Sequence, residues 1–157
     1  RIKGDGLNVE YTYYHDEAEA VLRVEELLSR WTEDEQVLPG DITVLSMTDW
    51  DSSLIRNLGK RWRRRFQIVD STAGCHWHQS SLTFSNVLDF KGLENRYVVL
   101  LDLEKFEETK ADLSKLYVGM TRANAMMSLM VPTSLKPTLD QYQLNNLPAL
   151  QAHLMDE

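Results

Sequence analysis

Three residues of this chain have the types and spacing to handle a phosphorylated ligand: Gly92, Glu94 and Arg122. The first two lie in Phe90-Lys91-Gly92-Leu93-Glu94, which interrupts two apolar runs, 82–88 and 97–101. Both runs are short and rich in β-branched or aromatic residues, so both read as strands. A glycine between them lets the backbone turn sharply and approach a ligand, because no Cβ stands in the way. A carboxylate at such a turn can accept hydrogen bonds from ribose hydroxyls. Arg122 belongs to Leu116-Tyr117-Val118-Gly119-Met120-Thr121-Arg122-Ala123 and follows an otherwise apolar helix face. A guanidinium can fork onto phosphate oxygens and stabilise charge that develops during phosphoryl transfer. The plainer reading is an ordinary ion pair at the sheet edge, or two unrelated surface residues.

Other stretches carry weaker chemistry. Lys60-Arg61-Trp62-Arg63-Arg64-Arg65 holds five of the seventeen basic residues, and an aromatic stands among them. Such density suits phosphate and base-stacking contacts. It equally suits a solvated helix end, where cations complement the dipole. Cys75-His76-Trp77-His78 contains three possible zinc ligands. Neighbouring positions rarely all point at one ion, so a loop with a partly buried thiol is the better reading. Asp102 ends an apolar run as a magnesium-binding acid would, but a strand-end Asp more often serves a turn or cap. A phosphate loop needs Gly, four residues, then Gly-Lys-Ser/Thr. Gly59-Lys60 is followed by Arg61, and Leu54 stands where the first glycine belongs, so this chain has no such loop.

The scaffold for these residues reads as alternating strands and helices. Strands are expected at 9–14, 42–45, 66–69, 82–88, 97–101 and 127–131. Asp16, with Glu19 three residues on, predicts a capped helix carrying Ala20, Val21, Val24, Leu27, Leu28 and Trp31. Asp51 or Ser52 is expected to cap a helix through Leu54, Ile55 and Leu58. A third helix is expected over 108–121. One or two short helices are expected over 138–157, with Asn146 as a cap and Pro148 in the first turn. Near-continuous apolar strands alternating with helices predict an α/β domain with a mainly parallel sheet. Ligands of such sheets are expected at the carboxyl ends of the strands.

Composition sets the limits. The 157 residues, 43% hydrophobic and 26% charged, fit one domain with its own core. Residues 1–8 read as a lead-in linker and 9–157 as the domain. No apolar run is long enough to span a bilayer, and no signal peptide is recognisable. The single cysteine excludes an internal disulfide and fits a reducing, cytoplasmic compartment. A net charge of −7 argues against coating nucleic acid by bulk electrostatics but leaves room for a local basic patch. A start at Arg1 rather than Met suggests a piece of something larger.

Taken together, the stretches resemble the C-terminal (2A) motor domain of superfamily 1 DNA helicases of the UvrD/Rep type. That family's fifth motif runs approximately Thr-x-His-x-x-Lys-Gly-Leu-Glu, and here Asn86-Val87-Leu88-Asp89-Phe90-Lys91-Gly92-Leu93-Glu94 stands in its place. The sixth runs Tyr-Val-Ala-x-Thr-Arg-Ala, against Tyr117-Val118-Gly119-Met120-Thr121-Arg122-Ala123 here. The match is firm over 82–131. It implies a RecA-like fold that lacks its own phosphate loop. It further implies that Gly92 approaches the γ-phosphate, Glu94 bonds the ribose, and Arg122 is an arginine finger supported by Thr121. ATP with Mg²⁺ would lie in a cleft shared with an N-terminal RecA-like domain, which would hold the metal and the phosphate loop. Single-stranded or partly duplex DNA is the implied partner, with Asn86, Lys60, Arg61 and Arg64 as candidate contacts. Asn86 and Leu88 replace the family's Thr and His, which lie toward single-stranded DNA. Asn86 can still bond a phosphate and Leu88 cannot. The ATP half of the signature is therefore better kept than the DNA half. A non-catalytic interaction module on this fold, or the motor part of an ATP-dependent nuclease, are the competing expectations.

Overall fold

The computed structural model describes residues 8–69, 78–90, 92–142 and 151–152. Six strands form one sheet: β1 (Asn8–Tyr14), β2 (Ile42–Ser46), β3 (Phe66–Val69), β4 (Leu82–Asn86), β5 (Asn95–Leu101) and β6 (Ala123–Pro132). Their order is β1-β6-β5-β2-β4-β3, and every pairing is parallel. Parallel strands need crossovers that cover both faces, so the inner strands must be apolar on both sides. All five residues of β2 are buried. Along β5, Val98 and Leu100 face one core, while Val99 and Leu101 face the other.

The first core is closed by α3 (Lys110–Met120) and α4 (Lys136–Asp140), through Leu116, Met120 and Leu139. The second is closed by α1 (Glu17–Ser29), whose Ala20, Val24, Leu27 and Leu28 are buried. Trp31 fills the same core from the π-helical turn Arg30–Asp34 that prolongs α1. Asp16 caps α1 by accepting from the Glu19 N–H at 2.8 Å. The Glu19 carboxylate reaches back to the N–H of His15 at 2.7 Å, one residue beyond the usual capping-box position.

The expected helix after β2 is absent. Two 3₁₀ turns, Trp50–Ser52 and Leu54–Asn57, replace it, and Ser53 rather than Asp51 or Ser52 caps the second by accepting from the Ile55 N–H. Asp102 is the physical reason. Its buried carboxylate accepts from the hydroxyls of Ser46 and Ser53 and from the N–H of Leu54 at 2.9 Å, which pins the chain where an α-helix would have to form. Asp102 thus ties β5 to β2 and to the following turn.

Strand β4 ends at Asn86, short of Leu88, because Val87 and Phe90 turn into the first core. β6 starts at Ala123, four residues before the expected 127. The third helix is shorter than 108–121 and is capped by Thr109, whose hydroxyl accepts from the Asp112 N–H at 3.1 Å. Asn146 and Pro148 lie outside the described residues, as do Lys91, residues 1–7 and Cys75-His76-Trp77. Among the described residues, no helix is long and apolar enough to cross a membrane, and no cluster of metal-ligating side chains occurs.

Candidate functional site

Because the sheet is wholly parallel, it has an amino edge and a carboxyl edge. Gly92 and Glu94 directly precede β5, and Thr121 and Arg122 directly precede β6. β5 and β6 are hydrogen-bonded neighbours in register Asn95 to Ala123. The two motifs therefore meet at the amino edge, joined by the Asn95 N–H donating to the Arg122 carbonyl at 2.9 Å. Sequence reasoning expected a ligand at the carboxyl ends. The site residues sit at the other edge because both motifs run into their strands rather than out of them.

Gly92 has φ +84, a left-handed conformation that favours glycine. A Cβ built there would meet nothing within 4 Å, so the glycine is required by its dihedral and not by crowding. The turn presents open backbone, as an approach to a phosphate would need. Glu94 beside it is exposed.

Arg122 is half-buried and held on three sides. Its Nε donates to the Val118 carbonyl at 3.1 Å, one terminal nitrogen to the Leu93 carbonyl at 3.2 Å, and the other to Thr121 Oγ1 at 3.0 Å. Thr121 is buried and in turn donates its hydroxyl proton to Val118 at 2.9 Å. The Val118 carbonyl lies in the last turn of α3, where the helix dipole favours a cation. A guanidinium has five N–H groups, so this arrangement leaves one on each terminal nitrogen. The Leu93 contact ties the arginine to the Gly-Leu-Glu turn itself, so the two motifs form one unit. Gly119 allows it to form: a Cβ there would stand 3.3 and 3.4 Å from the Leu100 methyl groups, so the helix end sits close on β5.

Asn95 is a positioning residue that the sequence did not reveal. Its amide donates to the Gly40 carbonyl at 3.1 Å and to Thr43 Oγ1 at 2.8 Å, which fastens the start of β5 to β2. An isolated Asn after Gly-Leu-Glu carries no signal that it will bridge to residues some fifty positions away in the chain.

Of the candidate nucleic-acid residues, Asn86 is set apart from Lys60, Arg61 and Arg64. Asn86 closes β4 at the carboxyl edge, opposite Arg122. Its amide donates to Asp49 at 3.0 Å and its carbonyl oxygen accepts from the Leu88 N–H at 2.9 Å. A carboxylate partner is a poor neighbour for a phosphate. Leu88 beside it is 56% exposed. Lys60, Arg61 and Arg64 lie at the amino edge, on and just after α2 (Lys60–Arg63), which leads into edge strand β3. Arg61 is ion-paired with Glu33, while Lys60 and Arg64 are exposed. At the carboxyl edge of β1 and β6, a cleft of about 360 Å³ is lined by Tyr14, Asp16, Glu17, Glu104 and Ser134 among others. Burial, then the hydrogen bond to Glu104, holds the Tyr14 phenol well above its usual range.

Similarity to solved structures bears on the fold. The chain superimposes on the C-terminal domain of a possible DNA helicase from Lactobacillus plantarum WCFS1 with a TM-score of 0.54 and 19% identity. The match covers 82% of this chain and 75% of that one. The fold is RecA-like. No protein-family model and no curated protein sequence matches the chain.

Proposed function

We propose that this chain is the C-terminal RecA-like motor domain of an ATP-dependent DNA helicase or helicase-like ATPase. The observation that carries the reading is the junction of the two motifs at one sheet edge: Arg122 bonded to the Leu93 carbonyl, between Gly92 and Glu94. In this reading the domain supplies one wall of an ATP site. An N-terminal RecA-like domain supplies the other, with the phosphate loop and the Mg²⁺ ligands. Gly92 offers backbone to the γ-phosphate, Glu94 accepts from the ribose, and Thr121 orients the guanidinium. The two N–H groups that Arg122 keeps are a fork for phosphate oxygens, where charge builds during phosphoryl transfer. The neighbouring helicase domain supports the fold on which this reading stands.

A second reading, a non-catalytic interaction module, is favoured by the carboxyl edge. There Asn86 is tied to Asp49 and Leu88 takes the place of a hydrogen-bonding side chain. Calorimetry on the isolated chain tests the shared-site proposal. With one wall of the site, Mg·ATP gives no saturable micromolar binding. Saturable micromolar binding would mean a complete site within this chain and would end the proposal.

A further inference from the structure

The ladder between β5 and β6 is not regular where the two strands begin. Asn95 pairs with Ala123, but the next pair is Tyr97 with Met126, so β5 advances from 95 to 97 while β6 advances from 123 to 126. The extra residue makes a bulge in β6, and regular pairing starts only beyond it, from Tyr97 with Met126 to Leu100 with Leu129. Bulges interrupt the ladder and re-aim the side chains beside them. Arg122 stands on the far side of this one, so the regular ladder does not set where its main chain lies. Its carbonyl is held instead by the N–H of Asn95, which donates to it at 2.9 Å.

Asn95 can give that support because its own side chain is fixed. The amide nitrogen donates to the Gly40 carbonyl at 3.1 Å and to Thr43 Oγ1 at 2.8 Å, and Oδ1 accepts from the Arg96 N–H at 2.9 Å. Both anchors are firm. Thr43 is fully buried in β2, the neighbour of β5 on the side away from β6. Gly40 donates its N–H to the Gln79 carbonyl at 2.8 Å. A chain of bonds therefore runs from Gln79 through Gly40 and Asn95 to the Arg122 main chain. It continues from the Arg122 guanidinium to the Leu93 carbonyl at 3.2 Å, inside the Gly-Leu-Glu turn. Shape alone would not do this. An aspartate in the same place could still accept from Arg96, but it has no N–H for Gly40 or Thr43.

We propose that the Asn95 carboxamide is a positioning residue of the candidate site: by holding the Arg122 main chain across the bulge, it aims the guanidinium at the phosphate of a bound nucleotide. The proposal rests on the motor-domain reading for the nature of the ligand, and its first test needs no ligand. In heteronuclear NMR of the isolated, isotope-labelled chain, the Arg122 Nε–H, bonded to the Val118 carbonyl, gives a resonance apart from those of the exposed arginines; Arg122→Lys assigns it by removing it. Asn95→Ala and Asn95→Asp are expected to move that resonance toward the exposed arginines. Thr43→Val, a milder change that removes one acceptor, is expected to move it part of the way. The indole N–H resonances of the buried Trp31 and Trp62 are expected to stay in place. A shift in the folded state does not follow from a loss of stability alone. An Arg122 resonance that stays put, or that moves only together with the indoles, would overturn the proposal. The second test is ATPase turnover of this domain joined to an N-terminal RecA-like domain that carries a phosphate loop. Asn95→Ala is expected to lower turnover by about tenfold or more and to leave the KM for ATP within about threefold, because aim matters to the transition state more than to binding. Normal turnover in Asn95→Ala beside a collapse in Arg122→Ala would overturn the proposal. Normal turnover in both would end the motor-domain reading instead, and the resonance shift would still decide whether Asn95 positions Arg122.

Discussion

Arg122 does two separable things at the residue scale. It caps the end of α3 and, in the proposed site, reaches phosphate. The capping alone makes Arg122→Ala destabilising. Three hydrogen bonds from a charged donor are lost, and two half-buried carbonyls are left without it. About 1–3 kcal/mol is expected by thermal or urea unfolding of the isolated chain, since the site is only partly buried. Arg122→Lys recovers little, because one ammonium cannot reproduce the planar fork. Gly92→Ala isolates the dihedral. The space is open, so the expected loss of about 1–2 kcal/mol comes from the left-handed backbone alone. Equal stability of Gly92→Ala and wild type in urea titration would show that the turn relaxes to another conformation.

At the scale of elements, Asp102 holds β5, β2 and the turn after β2 on one carboxylate. Asp102→Ala leaves the hydroxyls of Ser46 and Ser53 and the N–H of Leu54 without that acceptor in a buried place. About 3–5 kcal/mol of destabilisation is expected from the unfolding midpoint, since each unsatisfied buried group costs about 1–3 kcal/mol and neighbouring losses overlap. A loss under about 1 kcal/mol would contradict the tie. β1 carries the pH response. The Tyr11 phenol is pushed up to about 12 by burial first and then by Tyr13 and Asp140 nearby. An unfolded tyrosine ionises near pH 10. The folded chain therefore keeps a proton that the unfolded chain releases. The stabilisation is full below about pH 10 and is lost as pH rises toward about 12. Tyr11→Phe should flatten the fall of the urea midpoint between about pH 10 and 12. An unchanged slope would mean that Tyr11 does not contribute.

Over the whole molecule, the strands, the parallel sheet and the pairing of the two motifs were legible because their signals are local. Apolar runs mark buried strands, and a glycine or arginine stands out where it interrupts them. What the sequence hid depends on contacts between distant residues. Asp102 does open the turn after β5, as its place at the strand end suggested, but the hold of its carboxylate on Ser46 and Ser53 was not legible. The stretch 54–58 has helical spacing, but it was fixed as a 3₁₀ turn by that same carboxylate. The basic run looked like one patch, and only the structure shows Arg61 and Arg65 lying over the ring of the buried Trp62. Local charge need not follow net charge: Lys60, Arg63 and Arg64 gather on α2 and the turn after it. The central claim is that Arg122 acts on ATP across a site shared with a second motor domain. It is tested most directly by DNA-stimulated ATPase turnover of this domain joined to an N-terminal RecA-like domain that carries a phosphate loop, with and without Arg122→Ala. An arginine finger acts on the transition state, so on this claim turnover is expected to fall by about two to five orders of magnitude. Turnover within about threefold of the parent, a change of only about 0.65 kcal/mol, would contradict the claim and leave Arg122 as a helix cap on an interaction module.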